Sequence, residues 1–154
     1  MALFSSTIYS GRDIQKVSNF RIDAFDQNHF GCLGYMYDDK VQMFSRTFKK
    51  HTILSMFSKS LPAELPSVGI VYYYAGANVQ LLTMMAKIHQ GIVIIGSGSG
   101  NYSKLWLEEI QRLSNEGIIF VRASRVNQGI VYESSIFDPL NICIPSNTLS
   151  GQKA

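Results

Sequence analysis

Hydrophobic positions in the second half of the chain form short apolar runs separated by an amphipathic stretch. Residues 68–74 are an almost uninterrupted apolar and aromatic run, and residues 92–95 form a shorter one. Such runs are typical of parallel strands that are buried on both faces. Between them, residues 79–89 supply good helix formers, and Gly91 stands where a helix-ending glycine is expected. The pattern therefore predicts a strand–helix–strand unit with a right-handed crossover.

A second helix is predicted after the second strand. We expect Ser103 to cap this helix, which runs to about Glu116 and is closed by Gly117. Its apolar positions follow spacings of four and three and would face a sheet: Trp106, Ile110 and Leu113. Residues 118–121 then read as a third short buried strand. Residues 67–122 are thus predicted to hold at least three parallel strands with intervening helices, which is an α/β fold.

The first part of the chain has a different pattern. Residues 1–8 resemble the end of a buried strand, and a turn is expected at residues 11–13. Apolar stretches on either side of Asp38 and Asp39 predict a β-hairpin, because aspartates tolerate the conformations that short turns require. Residues 46–66 begin with a basic stretch and continue with serines and prolines, which indicates a linker. We therefore expect three parts: residues 1–45, a linker at residues 46–66, and an α/β domain at residues 67–154.

Composition excludes some classes of protein and leaves others open. The chain has 154 residues, 46% of them hydrophobic, which is ordinary for a globular core. A net charge of +3 is mild, and neither nucleic acid nor a membrane is predicted as a partner. No apolar run approaches the roughly 20 residues of a membrane-spanning helix, and the N-terminus lacks the features of a signal peptide. Cys32 and Cys143 are far apart and have no metal-binding or redox spacing, so we expect two packed thiols.

Two segments carry possible chemistry. Residues 96–100 alternate glycine and serine, but Asn101 stands where a dinucleotide-binding motif needs its last glycine. A tight structural turn is therefore favoured over a phosphate cradle. Asp13 and Lys16 lie three residues apart in a polar segment. A buried lysine can transfer protons, although the residues by themselves favour a surface lysine.

Several segments, in one order, resemble the type II L-asparaginases. The first half contributes Gly11-Arg-Asp-Ile-Gln-Lys16, Phe25, Asn28 and Gly31-Cys-Leu-Gly-Tyr35. The second half contributes Val68-Gly-Ile-Val-Tyr72, Gly91-Ile-Val, Gly98-Ser-Gly-Asn101, Val121-Arg-Ala-Ser-Arg-Val126, Gly129, Thr148-Leu and Gln152-Lys-Ala154. The spacing between segments is nearly that of the family, and the resemblance extends over essentially the whole chain.

The resemblance implies an amidohydrolase that converts L-asparagine to L-aspartate and ammonia, with L-glutamine as a second substrate in some members. It implies a threonine nucleophile and no metal or organic cofactor. Family members are tetramers of two-domain subunits, so a homo-oligomer is expected, and each active site joins one subunit's N-terminal domain to a neighbour's C-terminal domain. Full-length type II members are exported to the periplasm. On this basis, residues 1–45 are expected to be a remnant of the N-terminal domain.

Residue by residue, the resemblance assigns one catalytic position and two tentative substrate contacts. Lys16 falls on the family's catalytic lysine. The family's substrate-binding asparagine falls on Gly76, with Asn78 two places away, and Glu133 lies near the place of the family's acidic contact. Neither Asn78 nor Glu133 aligns with the family's contact, and Ile136 stands closer to the acidic position.

The family's nucleophile segment, Thr-Gly-Gly-Thr, and its Thr-Asp-Thr segment do not occur in this sequence. The family's final helix is also expected to be missing. The resemblance therefore predicts part of an L-asparaginase that is inactive by itself. The alternative is a non-catalytic α/β interaction module that assembles with itself or with a full-length asparaginase. A nucleotide-binding module ranks third.

Overall fold

A computed structural model describes residues 1–27 and 29–154, so Asn28 of the family resemblance lies outside the described residues. The chain divides into two compact units, Met1–Leu65 and Pro66–Ala154. None of the helices in the described residues is long and apolar enough to cross a membrane.

The first unit is built from short antiparallel strands. Its strands are β1 (Ala2–Phe4), β2 (Thr7–Tyr9), β3 (Ile14–Lys16), β4 (Phe25–Gln27), β5 (Gly34–Tyr37) and β6 (Lys40–Met43). Four of them form a sheet in the order β1-β2-β5-β6, and β3 pairs with β4. Two 3-10 turns follow, at Thr52–Leu54 and Met56–Ser58, and neither contains a buried residue.

Two hairpins in this unit turn through paired left-handed residues. Asp38 and Asp39 have φ angles of 46° and 58°, as a type I′ turn requires, so the predicted hairpin is confirmed. The prediction for residues 1–8 was wrong: they form two strands joined at Ser5 and Ser6, whose φ angles are 47° and 59°. The left-handed backbone of both serines, which is incompatible with an extended strand, reverses the chain there.

The second unit is a parallel α/β sheet, which confirms the predicted fold class. Its strands are β7 (Val68–Tyr72), β8 (Gly91–Gly96), β9 (Ile119–Ser124) and β10 (Ile144–Pro145), and its helices are α1 (Gln80–Ala86) and α2 (Lys104–Asn115). The strand order is β10-β9-β8-β7, and every neighbouring pair is parallel. Strand β8 is the centre of this unit, because all six of its residues are buried.

The core of this unit lies between one face of the sheet and the two helices. The predicted apolar face of α2 is confirmed, since Trp106, Ile110 and Leu113 are buried there together with Leu82 of α1. The indole Nε1 of Trp106 donates a 3.1 Å hydrogen bond to the carbonyl oxygen of Ala77. This bond satisfies the one polar atom of the large buried ring.

Three details of the predicted helices differ from the structure. Helix α1 covers Gln80–Ala86 and not the whole of residues 79–89. Gly91 does not end the helix but begins β8, where it pairs with both Val68 and Ile119. Ser103 occupies the N-cap position of α2, yet its side chain makes no capping hydrogen bond. Gly117 does end α2 as predicted, with a φ angle of 97°.

The third strand is longer than its apolar run. It was expected to end near Val121, but β9 continues through Arg122 to Ser124 because it pairs with β8 along its full length. This extension places a charged residue inside the sheet.

Candidate functional site

The carboxyl ends of β7, β8 and β9 lie at one edge of the second unit, because the three strands are parallel. The loops that follow them cover residues 73–79, 97–103 and 125–143. In open α/β sheets this edge is where ligands bind.

The loop after β8 is a tight glycine turn. The backbone N–H of Asn101 donates to the Ser97 carbonyl at 2.7 Å, and that of Gly100 donates to the same carbonyl at 3.0 Å. Gly98 and Gly100 have φ angles of 51° and 87°. A Cβ atom on Gly100 would lie 2.9 Å from Cγ of Arg122. The glycines are therefore explained by the tight turn, as predicted, and also by its close contact with β9, which was not predicted.

Arg122 ties this turn to the loop after β9. Its side chain is 1% exposed. One guanidinium nitrogen, Nη1, donates to the Ser99 carbonyl at 2.6 Å, and Nη2 donates to the Tyr132 carbonyl at 2.6 Å. The guanidinium carbon also lies 5.9 Å from the centre of the Phe137 ring. These two hydrogen bonds and the aromatic face replace part of the water that the buried charge loses, while the buried Nε has no hydrogen-bond partner among the described residues.

Arg122 was not identified from the sequence, because the predicted third strand, residues 118–121, ends one residue before it. The signal that could have identified Arg122 is the alternation of side chains between the two faces of a strand. Arg122 is two residues from the buried Phe120, and residues two apart on a strand share a face.

A second buried group lies in the loop after β9. Asp138 is 5% exposed, and its two carboxylate oxygens accept the backbone N–H groups of Ile142 at 3.1 Å and Cys143 at 2.7 Å. The carboxylate therefore folds this loop back toward β10. The thiol of Cys143 lies 3.4 Å from the Tyr102 hydroxyl.

Burial raises the pKa of Cys143 to about 11. Burial also raises the pKa of Tyr102, with the neighbouring Cys143 adding to the effect. Both groups are consequently protonated near neutral pH. A protonated, buried thiol is a poor nucleophile, so Cys143 fits the packed thiol that was expected. Cys32 is half-buried, and neither cysteine forms a disulfide in the described part of the chain.

A cleft of about 280 Å³ opens at the start of α2. It is lined by Asn101, Tyr102, Ser103, Lys104, Leu107, Ile136, Phe137 and Pro139. Its walls therefore combine residues from the loops after β8 and β9 with the first turn of α2. Residues 1–27 and 29–154 contain no group of three or more histidine, cysteine, aspartate or glutamate side chains that could hold a metal ion.

Lys16 is the last residue of β3 in the first unit, where it pairs with Phe25 and is exposed. In the turn before it, Nη1 of Arg12 lies 2.6 Å from Oδ1 of Asp13, whose side chain is 12% exposed. The turn itself is closed by the N–H groups of Asp13 and Ile14, which both donate to the Ser10 carbonyl. The exposure of Lys16 agrees with the surface lysine that the residues by themselves favour.

Asn78 and Glu133 are both exposed residues of the second unit. Oδ1 of Asn78 accepts the N–H of Gln80 at 2.9 Å, which caps the first turn of α1. No hydrogen bond or ion pair joins Asn78 to Glu133 among the residues that the structure describes. Gly76, where the family carries its asparagine, has a φ angle of 84° and open space around its missing side chain.

The glutaminase/asparaginase C-terminal domain model matches residues 67–154, which is more than half of the chain. The chain therefore belongs to the glutaminase/asparaginase family. It is similar to the probable periplasmic L-asparaginase of Haemophilus influenzae, with 31% identity over 156 residues, covering 100% of this chain and 45% of that protein. It is equally similar to L-asparaginase 2 of Escherichia coli, with 31% identity and the same two coverages.

Two further comparisons extend this similarity. The glutaminase-asparaginase of Pseudomonas fluorescens is 30% identical over 130 residues, covering 84% of this chain and 36% of that protein. The crystal structure of the probable cytoplasmic L-asparaginase of Campylobacter jejuni superposes with a TM-score of 0.85 and 32% identity. That match covers 97% of this chain and 49% of the other. The chain thus spans about half the length of the relatives it matches.

Proposed function

We propose that this chain corresponds to part of an L-asparaginase and that it does not hydrolyse L-asparagine by itself. The observation that carries the proposal is the similarity of the whole chain to L-asparaginases of which it spans only 45%. The family resemblance makes Lys16 the catalytic lysine and requires a threonine nucleophile beside it.

The absence of that threonine supports inactivity. Neither Thr-Gly-Gly-Thr nor Thr-Asp-Thr occurs in the sequence. Within the described residues, no hydrogen bond joins Lys16 to a threonine hydroxyl. Loss of an activated nucleophile typically reduces kcat by several orders of magnitude, and a correctly placed lysine does not replace it.

Asn78 and Glu133 are our proposed substrate contacts from this half of the enzyme. An exposed carboxylate such as Glu133 suits the α-ammonium group of an amino acid substrate, because the two charges are opposite. Oδ1 of Asn78 is engaged by Gln80, so its amide nitrogen is the atom that would donate to substrate. In the family such contacts serve a neighbouring subunit's site, so they imply a homo-oligomer.

The test is ammonia release from L-asparagine by the purified chain, compared with a Lys16→Ala variant. Circular dichroism establishes that both proteins are folded. We expect no turnover from either protein. Turnover by the parent chain that is lost in Lys16→Ala would reveal a nucleophile within these residues and would overturn the proposed inactivity.

The second candidate is a non-catalytic module that assembles with itself or with a full-length asparaginase. Gly76 favours it, since this position carries no side chain to contact substrate. Co-expression with a complete asparaginase subunit distinguishes the two candidates. Stable co-purification supports the module, whereas separate elution of the two proteins contradicts assembly with a relative.

A further inference from the structure

A serine and a histidine are in hydrogen-bond contact at the amino ends of β7 and β8. Oγ of Ser67 lies 2.7 Å from Nδ1 of His89. Ser67 directly precedes β7, and His89 lies shortly before β8. Because the strands are parallel, the pair is at the opposite edge of the sheet from the loops that follow β7, β8 and β9. The pair is therefore separate from the candidate site at the carboxyl edge.

Packing fixes the position of the imidazole ring. The backbone N–H of His89 donates to the Met85 carbonyl at 2.9 Å, in the turn that follows α1. The ring lies against Gly69 of β7, where an added Cβ would come within 2.6 Å of Cδ2 and 3.0 Å of Nε2. Gly69 thus leaves the space that the half-buried ring occupies. An imidazole held in this way keeps Nδ1 directed at the Ser67 hydroxyl.

Ser67 is held by its main chain and is exposed to solvent. Its carbonyl oxygen accepts the N–H groups of Gln90 at 2.9 Å and Gly91 at 3.3 Å, the two residues that follow His89. The residue is nevertheless exposed, so a reagent can reach Oγ. Main-chain hydrogen bonds therefore hold both partners of the pair in place and leave the hydroxyl accessible.

The residue after Ser67 supplies an unpaired backbone donor. Val68 pairs with Gly91 in the β7–β8 ladder, and it is the Ser67 carbonyl that accepts the N–H of Gly91. Backbone direction alternates along a strand, so the N–H of Val68 points away from β8. Strand β7 is terminal in its sheet, and no hydrogen bond from this N–H occurs among the described residues. An N–H directly after a nucleophile is a donor that can stabilise a developing oxyanion.

We propose that Ser67 is a nucleophile for activated acyl esters and that His89 is its general base. A neutral imidazole with its proton on Nε2 accepts the hydroxyl proton at Nδ1 as Oγ attacks the carbonyl carbon of the ester. A new bond forms between Oγ and that carbon, and the bond from the carbon to the leaving oxygen breaks. The imidazolium then returns the proton to the leaving oxygen, so the products are acyl-Ser67 and a neutral alcohol or phenol.

A second hydroxyl–imidazole pair in the chain has a looser geometry. Oγ1 of Thr52 lies 3.3 Å from Nδ1 of His51, which is its neighbour in sequence, and both residues are exposed. This distance is long for a hydrogen bond to a hydroxyl, and general-base catalysis requires close contact between the base and the proton it removes. We therefore expect Ser67 to react and Thr52 not to react, and His51 is the matched control for His89.

The first test is acetylation of the full chain by p-nitrophenyl acetate, followed by tryptic digestion and tandem mass spectrometry. Ser60 and Ser67 lie in one tryptic peptide, residues 60–87, so Ser60 is an internal reference for an exposed serine. We expect acetyl-Ser67 to form about a hundredfold faster than acetyl-Ser60, which is the size of effect that general-base catalysis supplies. Equal rates at the two serines would overturn the proposal and leave a structural hydrogen bond only.

The second test uses variants of the two histidines. His89→Gln keeps a side chain that can hydrogen-bond Ser67 but removes the basic nitrogen, so acetylation of Ser67 should fall to the rate at Ser60. His51→Gln should react like the parent chain, and circular dichroism establishes that both variants are folded. A folded His89→Gln variant that acetylates Ser67 at the parent rate contradicts the proposal.

The comparison of Ser67 with Ser60 requires no variant, so it decides the question even where His89→Gln does not fold. The inference does not rest on the proposed function. L-asparagine takes no part in either test, and the outcome is the same whether or not the chain is part of an asparaginase.

Discussion

Nη1 of Arg122 donates a 2.6 Å hydrogen bond to the carbonyl oxygen of Ser99, 23 residues earlier in the chain. The same guanidinium reaches the Tyr132 carbonyl, 10 residues later. One buried side chain therefore holds together two of the three loops at the carboxyl edge of the parallel sheet.

Replacing Arg122 should destabilise the second unit strongly. Arg122→Met keeps much of the side chain's length and removes two hydrogen bonds that involve a charged group, leaving the Ser99 and Tyr132 carbonyls without that donor. We expect a loss of about 3 to 5 kcal/mol in the free energy of unfolding, measured by urea denaturation. The control is Lys104→Met on the exposed surface of α2, where a single 3.8 Å ion pair with Glu108 is lost and the cost should be below about 1 kcal/mol. Equal effects of the two changes would show that the buried hydrogen bonds contribute nothing specific.

Alanine substitutions at Gly100 and Gly76 distinguish the cost of steric crowding from the cost of backbone strain. Both have positive φ angles, 87° and 84°, but a Cβ would meet Arg122 at Gly100 and nothing within 4 Å at Gly76. Gly76→Ala should cost about 1 kcal/mol from the backbone conformation, and Gly100→Ala should cost at least about 1 kcal/mol more. Thermal unfolding of the two variants measures the difference. A similar loss in both would indicate that the turn shifts to accommodate the methyl group.

The thiol of Cys143 should react slowly in the folded protein. At pH 8, iodoacetamide modification should be far slower in the native chain than in urea, because burial limits access and raises the pKa to about 11. Mass spectrometry of the labelled chain separates Cys143 from Cys32. Equal rates of modification of Cys143 in the native and denatured chains would contradict the burial that the structure gives it.

The same raised pKa makes folding stability depend on alkaline pH. The folded-state pKa lies above the ordinary thiol value of 9.0, so the unfolded chain releases this proton first. The stabilisation that the buried, protonated thiol gives the folded state is complete below pH 9.0. It is lost as the pH rises through about 11. Cys143→Ala should flatten the fall in the free energy of unfolding over this window. An unchanged pH profile in that variant would assign the fall to other groups, Tyr102 foremost.

Asn78 should contribute to stability through its cap on α1. Asn78→Ala removes the acceptor of the Gln80 N–H and should cost about 1 kcal/mol, measured by chemical denaturation. Asn78→Asp keeps the acceptor oxygen and should be close to the parent chain. If neither substitution changed the free energy of unfolding, the capping role of Asn78 would be contradicted. Only the proposed substrate contact would then remain for this residue.

Local patterns in the sequence determined most of the regular structure. The existence of β7 and β8, the Trp106–Ile110–Leu113 face of α2 and the Asp38–Asp39 turn were all predictable, because each depends on residues close together in the chain. The expected burial of both faces is correct for β8 but wrong for β7, whose alternate residues are exposed because it is the edge strand of the sheet. The glycine turn at residues 97–101 was predictable for the same reason, since left-handed backbone conformations favour glycine.

The tertiary structure decided where charge could be buried and where strands end. Arg122 lies inside β9 because pairing with β8 extends that strand, and its charge is accepted by carbonyls that are distant in sequence. The position of Gly91 after a helix predicts a C-terminal cap. Gly91 instead begins β8, because Val68 of β7 and Ile119 of β9 pair with it on either side. Ladders and buried hydrogen bonds join residues far apart along the chain, and no local pattern specifies such partners.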